Sequence, residues 1–135
     1  MPTKQKTCRE RIRGEWNDRE ANLNLYMNDS EVNESGNDDL PPFNEYGLGF
    51  DYVPAQTFED QETGYWRYQF SWGGPSDELR FYGDAQSHVY KVEYWFLDWF
   101  DGAHINVTKE PCAQWLIEEF SGMEMFAYAL KEATA

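Results

Sequence analysis

The sequence predicts an α+β domain: an antiparallel β-meander of four to five strands, flanked by an N-terminal and a C-terminal helix. Three observations predict it. Apolar residues recur at helical spacing near both ends of the chain and alternate along its middle. The alternating segments are separated by short Gly, Pro and Asp turns, which favours consecutive antiparallel strands. Six Trp, nine Tyr and nine Phe supply a large apolar area to 135 residues, so an aromatic core is expected although Leu, Ile and Val are scarce. At this length one domain, residues 1–135, is expected.

The elements follow in order. Residues 5–27 read as a helix, with Cys8, Ile12, Trp16, Leu23 and Met27 on one stripe. Its basic first turns oppose the helix dipole. Residues 28–47 read as an acidic loop, rich in Asn, Asp, Ser and Gly and closed to helix by Pro41-Pro42. Leu48 to Val53 is a strand with Leu48, Phe50 and Tyr52 on one face. Tyr65 to Trp72 is a second, with Trp66, Tyr68, Phe70 and Trp72 on one face and Tyr65, Arg67, Gln69 and Ser71 on the other. Gly73 to Asp77 is a turn and Leu79 to Tyr82 a short strand. Val89 to Trp99 is a long strand with Tyr90, Val92, Tyr94 and Phe96 together; its far half is apolar on both faces, which suggests cover on both sides. Asp101-Gly102 turns into a short strand, Ile105 to Val107. The last helix runs from Thr108, its expected cap, to Glu132, with Cys112, Leu116, Phe120, Met123, Ala127 and Leu130 as its buried stripe and Gly122 as a point of close packing.

The charge is segregated. Of the 11 Lys and Arg, Lys4, Lys6, Arg9, Arg11, Arg13 and Arg19 fall in the first nineteen residues. From Glu20 onward five basic residues face 22 acidic ones, a balance of −17 within an overall −14. Such a field repels nucleic acid and anionic lipid and attracts basic surfaces. The four N-terminal arginines do not form one face and are interleaved with acids, so a solvated helix surface or ion pairs to the acidic body are expected of them. No apolar run is long enough for a transmembrane helix, and no Sec-type leader is visible, so a cytoplasmic protein is expected. Cys8 and Cys112 match no zinc spacing and are expected as reduced core thiols.

Three constellations carry residue types able to do chemistry. Asp98, Asp101 and His104, spaced by three, could ligate a metal; a solvated turn is the plainer reading in a chain with 25 acids. Cys112, near a helix N-terminus, could pair with His104 as a nucleophile and base, against a plain core thiol that starts the apolar stripe. The acids of residues 29–39 lack a calcium-loop register. No catalytic residue, metal or cofactor is assigned. The remaining signal is carboxylates interleaved with aromatics, an arrangement able to imitate the spaced charges of a phosphate backbone. The partner-binding candidates are Asp38, Asp39, Glu45, Asp51, Glu59, Asp60 and Glu62.

The stretch Gly64-Tyr65-Trp66-Arg67-Tyr68-Gln69-Phe70-Ser71-Trp72-Gly73-Gly74 resembles the Gly-Tyr-Trp … Ser-x-Gly-Gly strand and turn of the ArdB/KlcA antirestriction proteins, with a spacing one residue shorter. More broadly, Asn44 to Leu48, Trp72 to Glu78 and Tyr94 to Gly102 resemble segments of small acidic proteins carried by bacterial plasmids and integrative elements. The resemblance implies a mobile-element setting and supplies no catalytic residues. The expected function is therefore a non-enzymatic anti-defence protein, antirestriction or anti-CRISPR-like. It would bind a basic nucleic-acid-handling protein by charge mimicry, as a monomer or homodimer, without touching nucleic acid or membrane. The alternatives are a small metal- or Cys/His-dependent enzyme, and an interaction module using an aromatic patch at Trp72 to Pro75.

Overall fold

A computed structural model describes residues 6–135, so Lys4 and the expected helix start at residue 5 lie outside the described residues. The order is α1 (Cys8–Asn28), α2 (Ser30–Ser35), α3 (Phe43–Tyr46), β1 (Gly49–Val53), β2 (Tyr65–Ser71), β3 (Ser76–Gly83), β4 (Val89–Asp98), β5 (Asp101–Asn106), α4 (Pro111–Gly122) and α5 (Met125–Thr134). The five strands form one antiparallel meander in sequence order, as short connections require. The fold is α+β, as the patterning predicted. No described helix is long and apolar enough to cross a membrane.

Helices α1, α4 and α5 cover one face of the sheet. Trp66, Tyr68 and Phe70 of β2, Leu79 and Phe81 of β3, and Val92, Tyr94 and Phe96 of β4 point into that layer and are buried. Phe120 of α4 and Phe126 of α5 key the helices to the strands: Phe120 lies 4.9 Å from the Phe50 ring and 5.0 Å from Tyr68, and Phe126 lies 5.3 Å from Trp66. Most of these pairs are tilted or edge-on, the arrangement that ring quadrupoles favour. The Trp66 indole N–H donates to the Phe126 carbonyl at 2.9 Å, so a buried donor is satisfied across the layers. On α1, Trp16 packs against Tyr94 at 5.2 Å.

The basic start of α1 is held by contacts that offset its dipole. Thr7 and Glu10 form a capping box. The Cys8 N–H donates to Asp101 Oδ2 at 2.7 Å, and Arg11 pairs with Asp98 at 2.7 Å, so α1 is docked onto the β4–β5 hairpin.

Several expectations are corrected. The 28–47 stretch contains two short helices. Asp29 caps α2 by accepting from the Glu31 and Val32 N–H groups. Pro42 ends the preceding segment yet stands directly before α3, where a missing N–H costs nothing. An irregularity between Gln69 and Ser71 flips the alternation, so Ser71 faces Asp77 and Trp72 projects into solvent. Strand β3 starts earlier than expected and carries Asp77 into the core. Tyr90 and Leu48 are exposed. Strand β4 has a neighbour on each side but is covered by helix on one face only. Thr108 does not cap α4; its Oγ1 accepts from the Val92 N–H at 2.9 Å and extends the sheet. The last helix breaks at Glu124, whose φ of 57° is left-handed. Met123 and Ala127 are consequently exposed, and the buried positions after the break are Phe126 and Ala129. Gly122 has open space where a side chain would be, so it serves no close packing.

Candidate interaction surface

The carboxylates divide into those matched by a basic group and those left to solvent. Among the described residues, Arg11 pairs with Asp98, Arg19 with Asp77, Arg67 with Asp51, Arg80 with Glu78, and Lys91 with Glu93. The expected ion pairs between N-terminal arginines and the acidic body are thus present for Arg11 and Arg19. Asp38, Asp39, Glu45, Glu59, Asp60 and Glu62 are exposed and have no ion-pair partner among the described residues.

These six stand in two groups, one before β1 and one after it. Asp38 and Asp39 lie on the link between α2 and α3. There Asn37 Oδ1 accepts from the Asp39 and Leu40 N–H groups at 2.8 Å each, a local side-chain turn that fixes the link. Gly36, at φ 74°, lets the Leu40 carbonyl pass where a β-carbon would sit. Glu45 follows on α3. Glu59, Asp60 and Glu62 lie on the β1–β2 loop, which is tied by Gln61. Its Oε1 accepts from the Thr57 and Phe58 N–H groups at 3.1 Å, and its Nε2 donates to the Pro54 and Thr63 carbonyls at 3.0 and 2.9 Å. Asp60 adopts φ 59°, a conformation that Asp tolerates better than most residues. In the chain the two groups flank β1. Asp51 lies between them on the strand, but its two oxygens accept from Arg67 at 3.0 and 2.7 Å, so its charge is already matched.

The sheet face away from the helices carries a polar and aromatic array of which the sequence marked only Asp51 and His104 as candidates. Arg80 lies 3.7 Å above the Trp95 ring and 4.5 Å from Tyr65, and donates to Glu78 at 2.8 Å. His104 stacks on Trp95 with ring centroids 4.3 Å apart. The cross-strand register Gln69–Glu78–Trp95–His104 and Asp51–Arg67–Arg80–Glu93–Asn106 aligns these side chains in two rows. Its signal was the second, polar phase of the strand alternation. Over this face the β1–β2 loop leaves a cleft of about 420 Å³, and the buried Tyr65 hydroxyl beside it has no hydrogen-bond partner among the described residues.

The other array lies within the helix layer. Asp77, 3% exposed, accepts from Arg19 Nε and Nη2 at 2.7 and 3.0 Å, from the Tyr94 hydroxyl at 2.7 Å, and from Ser71 Oγ. Burial disfavours the Arg19 charge, but the hydrogen bonds to Asp77 and Tyr46 outweigh it and hold the guanidinium pKa up. Burial, then the neighbouring Asp77 charge, pushes the Tyr94 hydroxyl up. The array links α1 through Arg19 to β2, β3 and β4 through Ser71, Asp77 and Tyr94.

The constellations with residue types able to do chemistry are not assembled. Asp98 is held by Arg11 and Asp101 by the Cys8 N–H, while His104 lies on Trp95 across the sheet. Among the described residues no three His, Cys, Asp or Glu side chains are grouped to hold a metal ion. Cys112 is buried in the first turn of α4, and burial with the nearby Glu20 and Glu110 charges pushes its thiol up to about 12. Both thiols are free and buried. Comparison of the chain with models of protein families, with curated proteins and with solved structures finds no match.

Proposed function

We propose that this chain is a non-enzymatic binding protein that presents fixed carboxylates to the basic face of a nucleic-acid-handling protein. In the setting its sequence resemblance implies, the partner is a restriction or CRISPR complex and the role is anti-defence by charge mimicry. One observation carries the reading. Asp38, Asp39, Glu45, Glu59, Asp60 and Glu62 are exposed without an ion-pair partner among the described residues, and Asn37 and Gln61 tie the loops that hold five of them. Charges fixed before binding lose little entropy on docking and steer encounter over long range. Binding to immobilised restriction or CRISPR complexes is expected to weaken by about tenfold or more between low and moderately high salt. Tight binding indifferent to salt would overturn the reading.

A second reading rests on the far end of the sheet. Trp72 on the β2–β3 turn and Trp99 and Phe100 on the β4–β5 turn are 77%, 87% and 104% exposed, and the antiparallel order puts both turns at one end. That favours an interaction module joining a complex through aromatic anchors. Replacing all three by Ser would abolish its assembly and leave charge-driven binding intact.

A further inference from the structure

A groove runs along β1. On one side lie the chain entering β1 and β1 itself; on the other, the elbow where α4 passes into α5. It has two compartments, of about 610 Å³ and about 540 Å³, both lined by Phe50, Met123 and Met125. Leu48 and Met123 form its lips at 60% and 55% exposure. Its floor reaches the aromatic core through Tyr68 and Phe120. Gly47 makes this depth possible, because a β-carbon there would enter the Tyr68 ring.

The rim has one sign of charge. Glu34 and Glu119 line the first compartment, Asp51 and Glu132 the second, and among the described residues neither is lined by a Lys or Arg. Asp51 is spent on Arg67, which leaves Glu34, Glu119 and Glu132 to face an occupant. An apolar trough with acidic margins rejects anionic and purely polar ligands and retains an apolar surface bordered by cations. Methionines at its centre can repack around side chains of different shape.

We infer that this groove is the docking site for a basic amphipathic segment of the partner protein, its apolar side chains entering between Leu48 and Met123 and its Lys or Arg residues reaching Glu34, Glu119 and Glu132. The inference rests on the acidic-surface reading and adds to it a place where the complex is held once charge has brought the partners together. The acidic loops then govern association and the groove governs dissociation.

Two synthetic peptides of equal charge test it, one alternating Lys with Leu in an amphipathic pattern and the other with Gln in place of Leu. At physiological salt the Lys–Leu peptide is expected to bind at least tenfold tighter, and to shift the Met123 and Met125 methyl resonances of the unmodified protein. The double variant Leu48→Gln/Met123→Gln keeps the charge and changes only exposed side chains; it is expected to lower Lys–Leu affinity to that of the Lys–Gln peptide. Equal binding of the two peptides, unmoved methionine methyls, or a double variant that binds as the parent does would each overturn the groove while leaving the acidic reading standing. Failure of both peptides to bind at low salt would overturn the acidic reading as well.

Discussion

Asp77 shows how a single side chain couples the helix layer to the sheet. It is 58 residues from Arg19 in sequence, yet the pair is bidentate, and Tyr94 and Ser71 supply the remaining donors. Removing the carboxylate leaves the Arg19 guanidinium with its Tyr46 hydrogen bond alone and strips the buried Tyr94 hydroxyl of its acceptor. Asp77→Ala is therefore expected to cost about 3 kcal/mol in urea unfolding; a loss below about 1 kcal/mol would show that the network is replaceable by water. Glu20 has the opposite character. Burial, then a shared hydrogen bond and like charge from Glu110, raise its pKa above 4.5. A raised folded-state value means that the group's favourable contribution is present below 4.5 and is lost as pH rises through the folded value. Glu20→Gln is then expected to stabilise the protein near pH 7 by about 0.5 kcal/mol, discounted for solvent screening. The gain should vanish near pH 3. Thermal melting at both pH values checks this, and a gap independent of pH would contradict it.

At the scale of elements, the α4–α5 elbow fixes one wall of the groove. Glu124 stands in the left-handed region at φ 57°, ψ 26°, with no side-chain cap bond for α5. A residue with a β-carbon is strained there by about 1–2 kcal/mol. Glu124→Gly is expected to raise unfolding stability by about 0.5–1 kcal/mol, the strain relieved less the added chain entropy. A destabilised variant would mean that the Glu124 side chain contributes an interaction larger than the strain. Helix α1 illustrates the converse. Its basic first turns are unfavourable in isolation, but the Thr7–Glu10 capping box and the Asp98 and Asp101 contacts to the hairpin offset them.

For the whole molecule the question is how the charge acts. Each exposed ionic contact contributes only about 0–1 kcal/mol, so a surface that works by charge works cumulatively. Neutralising Asp38, Asp39 and Glu45 together, or Glu59, Asp60 and Glu62 together, is expected to slow partner association about threefold to tenfold, with dissociation little changed. Asp51→Asn is expected to do little, because Arg67 already matches that charge. Stopped-flow association rates decide the matter: one residue abolishing binding while both groups are silent would point to a focal site instead.

The sequence by itself determined the α+β class, the strand order, most of the core aromatics and the excess of acid. All of these are written in local periodicity, short turns and composition, which need no knowledge of distant neighbours. It also marked the two loops whose carboxylates have no ion-pair partner among the described residues, since their polar residues forbid burial. What the tertiary structure decided depends on contacts across long stretches of chain or on backbone states without a sequence marker. The irregularity after Gln69 turned Trp72 outward and Ser71 toward Asp77. The break at Glu124 came at a residue with no propensity for it, not at Gly122 nearby. Asp51 was separated from the other candidate carboxylates by a cross-strand neighbour, Arg67, that alternation alone could not pair with it. The groove along β1 exists only because α4 and α5 meet at that elbow opposite Leu48, and no local pattern records where two helices will meet a strand.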